Sequence, residues 1–142
     1  MCGLVVALSS AMHSKYVWSF VDSQLSLRGP DAVGSYISNG LEFSYFRLIV
    51  RGDFSSGTQP CVIDRYAMVF NGNMTNTQKL CEKFNIEYTV SDKDVIPKLF
   101  HLIGKRIFEE LNGFFAIVIL DKKIWELVLY TLIFWVVYGT AY

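Results

Sequence analysis

An α+β fold built mostly of antiparallel sheet is the architecture this sequence predicts, on three observations. Strand-like apolar runs come in hairpins at both ends of the chain. Helical periodicities gather after the first run and again in the middle. Asn39-Gly40 stands between two strand-like runs, and both residues tolerate the positive φ of a tight hairpin. The 142 residues are 52% hydrophobic and 15% aromatic, enough for one core and too apolar for a disordered or fibrous chain. No repeat, low-complexity tract or linker divides them, so residues 1–142 are expected to form a single domain.

Residues 3–9 form a short apolar run, compatible with a buried strand near the N-terminus. Tyr16, Val17, Phe20, Val21 and Leu25 recur at three- to four-residue spacing and predict a helix, closed by Arg28-Gly29-Pro30. Strands are predicted over 33–38 and 41–50 around Asn39-Gly40, then a loop over 55–60. Residues 61–70 read as two short strands about Asp64-Arg65, ending at Asn71-Gly72-Asn73. Residues 75–84 read as a helix with Leu80 and Phe84 on one face. Ser91 and Asp94 resemble a capping box opening a second helix that runs to Leu102. Pro97 lacks the N–H an interior position uses, so this helix should start late or kink. Residues 114–120 are a strand, 121–123 a turn, and the remainder strand again.

Thirteen basic residues balance thirteen acidic ones, which leaves no electrostatic footprint for nucleic acid or an anionic membrane. The cysteines, Cys2, Cys61 and Cys81, form no CxxC pair and have no histidine at ligand spacing, so no disulfide framework and no metal site are expected. A reducing, cytoplasmic setting fits them best. No signal peptide is visible, and Cys2 occupies the place where myristoylation needs glycine. Residues 127–138 are apolar, but twelve residues fall short of the ~20 that span a bilayer. Their Val, Ile, Tyr, Phe and Trp content favours a buried strand over a membrane anchor.

The chain opens Met1-Cys2-Gly3. Removal of Met1, normal before a small residue, would leave Cys2 with a thiol and a free α-amine. Their ordinary pKa values of about 8.5 and about 8 let one residue supply nucleophile and base near neutral pH. Further along come Arg28-Gly29-Pro30-Asp31, Phe46-Arg47-Leu48, Gly57-Thr58-Gln59-Pro60, Phe70-Asn71-Gly72, Ser91-Asp92 and Leu111-Asn112-Gly113-Phe114-Phe115-Ala116.

In this order, after an N-terminal Cys-Gly, these motifs resemble the glutaminase domain of class II glutamine amidotransferases, most closely that of the asparagine synthetases. The likeness runs from Cys2 to about Asp121. It implies an N-terminal-nucleophile hydrolase with an αββα sandwich, acting on L-glutamine without a cofactor and passing ammonia to an acceptor or synthetase subunit. It implies that Cys2 attacks the glutamine side-chain amide and that Asn71 and Gly72 form the oxyanion hole. Arg47 matches the residue that holds the substrate α-carboxylate, and Asp92 the one that pairs with its α-ammonium. Leu48, Val50 and Asn73 fall at further substrate-binding positions. Arg28, Gly29, Pro30 and Asp31 belong to a loop near the active-site cysteine, with roles in loop order and substrate cover.

Departures from the family pattern are equally specific. Asn73 stands where a glutamate usually follows Asn-Gly, and Leu27 where a histidine usually precedes Arg-Gly-Pro-Asp. Thr131, Leu132 and Trp135 replace an Arg-Asp turn and a glycine, while Tyr138 and Tyr142 keep aromatic character. The C-terminal part is therefore expected to be divergent or truncated. The readings left open are a stand-alone glutaminase, a degenerate module that binds glutamine or a partner without turnover, and a fragment of an asparagine synthetase.

Overall fold

A computed structural model of the chain describes residues 2–8, 15–49, 58–88 and 92–132. In chain order the elements are strand β1 (Gly3–Leu8), helix α1 (Lys15–Ser26), β2 (Ala32–Ser38), β3 (Leu41–Arg47), β4 (Cys61–Ile63), β5 (Tyr66–Met74), α2 (Thr77–Phe84) and α3 (Asp92–Ile103). A 3-10 turn (Gly104–Arg106), α4 (Ile107–Glu110), β6 (Gly113–Asp121) and β7 (Glu126–Leu132) follow. The strands make two wholly antiparallel sheets, ordered β1-β3-β2 and β4-β5-β6-β7. The fold is α+β, as the sequence predicts.

Side-chain alternation explains how the layers stack. On β3, Leu41, Phe43 and Tyr45 share one face and meet Ala67 and Val69 of β5 and Val118 and Leu120 of β6, which fills the space between the sheets. The opposite face of β5 and β6 carries Tyr66, Met68, Phe70, Ile117 and Ile119, which pack on Leu80, Val95, Leu99 and Ile107 from the helical layer. At about 1.5–3 kcal/mol for each large apolar side chain buried, this second core is the main source of stability. On the outer face of the first sheet, α1 lies against β1 so closely that a Cβ added to Gly3 would sit 3.0 Å from the Leu25 side chain. Helix, sheet, sheet and helices follow in that order, an αββα sandwich.

The β2–β3 turn has φ of 44° at Asn39 and 78° at Gly40, the conformation the dipeptide predicts. Other expectations need correcting. β5 does not end at Phe70: Asn71, Gly72 and Asn73 continue it, paired with Ala116, Phe115 and Phe114 of β6. β3 ends at Arg47 instead of running to residue 50. Pro97 lies inside α3, which nevertheless starts at Asp92, and its ring is buried in the core beside Ile96. The short helical stretch at 104–110 has no counterpart in the sequence reading. β7 is only half-buried, because Val128 and Tyr130 face the helical core while Leu127 and Leu129 are exposed. No helix among the described residues is long and apolar enough to cross a membrane. Val50, the 55–57 part of the loop, Ser91 and the C-terminal positions Trp135, Tyr138 and Tyr142 lie outside the described residues.

Candidate active site

Cys2 sits at the head of β1, one residue before the Gly3–Phe46 pair, where the antiparallel register brings it level with Arg47, the last residue of β3. Its half-buried thiol is held by the main chain of the segment leaving β3. The Leu48 N–H donates to Sγ at 3.3 Å, and Sγ lies 3.6 Å from the Leu48 carbonyl oxygen. The Tyr45 phenol also hydrogen-bonds the Cys2 side chain. Burial, reinforced by that bond, pushes the phenol well above its ordinary range, so Tyr45 remains a protonated donor beside the sulfur.

The second sheet supplies the partner groups. Asn71 continues the face of β5 that carries Ala67 and Val69, so its amide points between the sheets, and Nδ2 donates to the Cys2 carbonyl oxygen at 3.0 Å. The amide nitrogen has two hydrogens, and this bond uses one of them. Gly72 adopts φ of 152°, and a Cβ there would lie 2.2 Å from the Phe114 carbonyl oxygen and 2.5 Å from Phe115 Cα. Only glycine fits so close to β6. Asn73, next along, is exposed.

Arg47, at the end of β3, lies two residues beyond Tyr45 and is only 7% exposed. The Arg28–Asp31 segment is bolted to its main chain. Arg28 and Gly29 N–H groups both donate to the Leu25 carbonyl and so close α1, each at 3.0 Å. A Cβ on Gly29 would stand 2.1 Å from the Phe46 carbonyl oxygen, so this glycine lets the loop lie directly on the Phe46–Arg47 peptide. The Asp31 N–H donates to the Arg47 carbonyl at 2.9 Å, and its carboxylate accepts the Ile49 N–H at 2.6 Å. Asp31 therefore latches the same segment whose Leu48 N–H holds the thiol. Arg28 and Pro30 are exposed.

Asp92 opens α3, where its carboxylate accepts the Met74 N–H at 3.0 Å and the Thr77 hydroxyl at 2.6 Å. It ties the end of β5 to the start of α2, and each oxygen keeps a further lone pair. Thus Cys2, Leu48 and Asn71 are in direct contact, Arg47 and Asp31 share the strand end beside them, and Asp92 attaches beyond Asn73. Two further residues contribute that no role in the sequence reading marks. Tyr45 follows from the two-residue strand period back from Arg47. Gln59 belongs to Gly57-Thr58-Gln59-Pro60, and its side chain bonds the Phe70 main chain. Burial raises the thiol pKa of both Cys61 and Cys81, which keeps them poor nucleophiles. Among the described residues no group of three or more His, Cys, Asp or Glu side chains is placed to hold a metal ion.

Residues 1–131 match a family model described as a glutamine amidotransferase domain. A putative glutamine-hydrolyzing asparagine synthetase 2 of Methanocaldococcus jannaschii is 34% identical over 117 residues, covering 68% of this chain and 23% of the relative. Asparagine synthetase 2 of Arabidopsis thaliana is 31% identical over 130 residues, covering 87% and 22%. Asparagine synthetase B of Escherichia coli is 31% identical over 101 residues, covering 68% and 18%. The chain spans less than a quarter of the length of these relatives.

Proposed function

The chain belongs to the family of glutamine amidotransferase domains, and from that premise we propose that it is a class II glutaminase, hydrolysing L-glutamine to glutamate and ammonia through a thioester on Cys2. The observation that carries this reading is the contact between the Asn71 amide and Cys2, which joins an oxyanion donor to a nucleophile across two sheets. Once Met1 is removed, the Cys2 α-amine takes the thiol proton as Sγ attacks the side-chain amide carbon of glutamine. The Leu48 N–H and the Tyr45 hydroxyl stabilise the developing thiolate. The free hydrogen of Asn71 Nδ2 and the Gly72 N–H receive the oxyanion. Collapse of the tetrahedral species breaks the C–N bond, and the α-ammonium returns its proton to the departing ammonia. Water then attacks the thioester, releasing glutamate and restoring the thiol.

Arg47 holds the substrate α-carboxylate and Asp92 its α-ammonium, a pair that selects the free amino acid over an internal glutamine residue. Asn73 offers an acceptor without charge where the family usually has a glutamate, so the ammonium is held less tightly. The ammonia passes to an acceptor enzyme, as in asparagine synthesis, and a cytoplasmic setting suits that chemistry. The test is the intact mass of the purified protein before and after a glutamine-mimicking diazoketone. Loss of Met1 with one covalent adduct, absent in Cys2→Ala together with glutamate release, is the expected result. A retained Met1, or a clipped chain that takes no label, points instead to a glutamine-binding module without turnover.

A further inference from the structure

The oxyanion donors Asn71 and Gly72 lie on β5 past the reach of its neighbour β4. That strand is three residues long, and its pairing with β5 stops at Cys61–Met68. Phe70, the next residue of β5 whose main chain points to that side, would be left without partners one position before the oxyanion hole. The side chain of Gln59 fills the gap. Its Nε2 donates to the Phe70 carbonyl oxygen at 2.9 Å, and its Oε1 accepts the Phe70 N–H at 2.6 Å. A primary amide offers the same donor and acceptor as a peptide group, so Gln59 acts as one more rung of the ladder.

Gln59 is itself anchored. It is 8% exposed, and its main-chain carbonyl rests on β2, where a Cβ at Gly34 would lie 1.9 Å from that oxygen. The residue thus spans the two sheets, seated on the one that carries Cys2 and gripping the one that carries Asn71. We propose that Gln59 is a positioning residue, holding Phe70 in register so that the Asn71 amide and the Gly72 N–H stay aimed at the Cys2 thiol. The inference rests on the glutaminase reading and deepens it.

The test compares acyl transfer with a reaction of the same thiol that builds no oxyanion. In Gln59→Leu, kcat for glutamine should fall between about 10- and 100-fold, with KM within about twofold, because misplaced donors weaken only the transition state. Alkylation of Cys2 by iodoacetamide, a direct displacement at carbon, should keep its rate within about twofold. In Gln59→Glu an ionised carboxylate faces the Phe70 carbonyl, whereas the protonated acid restores both donor and acceptor. Burial raises that carboxyl pKa, so the kcat ratio of Gln59→Glu to wild type should rise as pH falls from about 8 to about 6. Hydrogen exchange at the Phe70 amide should accelerate in Gln59→Leu whether or not the protein turns over.

An unchanged kcat in Gln59→Leu, a fall matched by equal loss of iodoacetamide reactivity, or a flat pH ratio overturns the positioning role. If Gln59→Leu does not fold, the pH ratio of Gln59→Glu decides the matter alone. Should the wild-type protein take no diazoketone label, the glutaminase reading fails, and unaccelerated Phe70 exchange would show separately that the clamp has failed too.

Discussion

The two sheets carry opposite halves of the proposed site and are held in place by different means. The β4–β7 sheet, which bears Asn71 and Gly72, is covered on both faces, by the other sheet and by α2 and α3. The β1–β3 sheet, which bears Cys2 and Arg47, is covered unevenly on its outer face: Gly3 and Phe46 are buried there, whereas on the edge strand β2 Val33 is 64% exposed and Ile37 63%. Bulk packing thus fixes β5 up to Phe70, and the Gln59 clamp carries the register on to the oxyanion donors. The thiol depends on a chain of single hydrogen bonds, from Asp31 to Ile49 and from Leu48 to Cys2. Stability and reactivity should therefore come apart, with truncations in the core of the helical layer unfolding the protein and variants of the single hydrogen bonds at Gln59 or Asp31 disarming it.

The largest effect on stability is expected from Leu99→Ala. Leu99 is fully buried where α3 packs on β5 and β6, so its truncation removes transfer energy and leaves a cavity. A loss of about 2–5 kcal/mol is expected in urea unfolding. The folded fraction should keep wild-type iodoacetamide reactivity at Cys2. A loss under about 1 kcal/mol would show that the helical layer is not the firmer of the two.

The same contrast governs how much was legible in the sequence. Local signals carried the Asn39-Gly40 hairpin and α1, because turn chemistry and helical period act over a few residues. Asn71-Gly72-Asn73 carries the same turn signal, yet pairing with β6 and the close approach of Phe114 to Gly72 override it and keep the chain extended. The 104–110 stretch is helical because Ile107 and Leu111 insert into the core, which local propensity does not show. In the site, side-chain motifs marked Cys2, Asn71 and Asp31. The contribution of Leu48 is its main-chain N–H, invisible to any reading of residue types. Gln59 becomes meaningful only once the end of β4 is known.

A smaller effect, confined by pH, is expected at the end of the second sheet away from the site. Asp121 at the end of β6 takes two hydrogen bonds of 3.0 Å from the Arg65 Nε and a further one from its terminal nitrogen. It also accepts the Lys123 N–H at 3.0 Å, which joins the β4–β5 and β6–β7 turns. The Arg65 guanidinium holds the Asp121 carboxyl below its ordinary value of 3.8, and burial opposes it only in part. A carboxyl with a lowered folded pKa contributes stability that is full above the ordinary value and is lost as pH falls through the folded one. Asp121→Asn should therefore lower the urea midpoint at neutral pH, and its deficit should shrink below about pH 4 as wild-type Asp121 gains its proton. A deficit constant from neutral to acid pH would mean that the pair contributes shape and not charge.

Asp31→Ala should have the smallest effect on stability and the sharpest on the thiol. Asp31 is exposed and removes no apolar packing, so the unfolding free energy should move by no more than about 1 kcal/mol. Its carboxylate nevertheless fixes Ile49, the residue after Leu48, and the loss of that bond frees the main chain that presents an N–H to Sγ. The sulfur is then less firmly held and aimed, so the rate of Cys2 alkylation by iodoacetamide at a fixed neutral pH should fall. Leu99→Ala should leave that rate where it is. A change common to both variants, or to neither, would mean that the thiol is held by the packing of the sandwich as a whole and not by the latch at the end of β3.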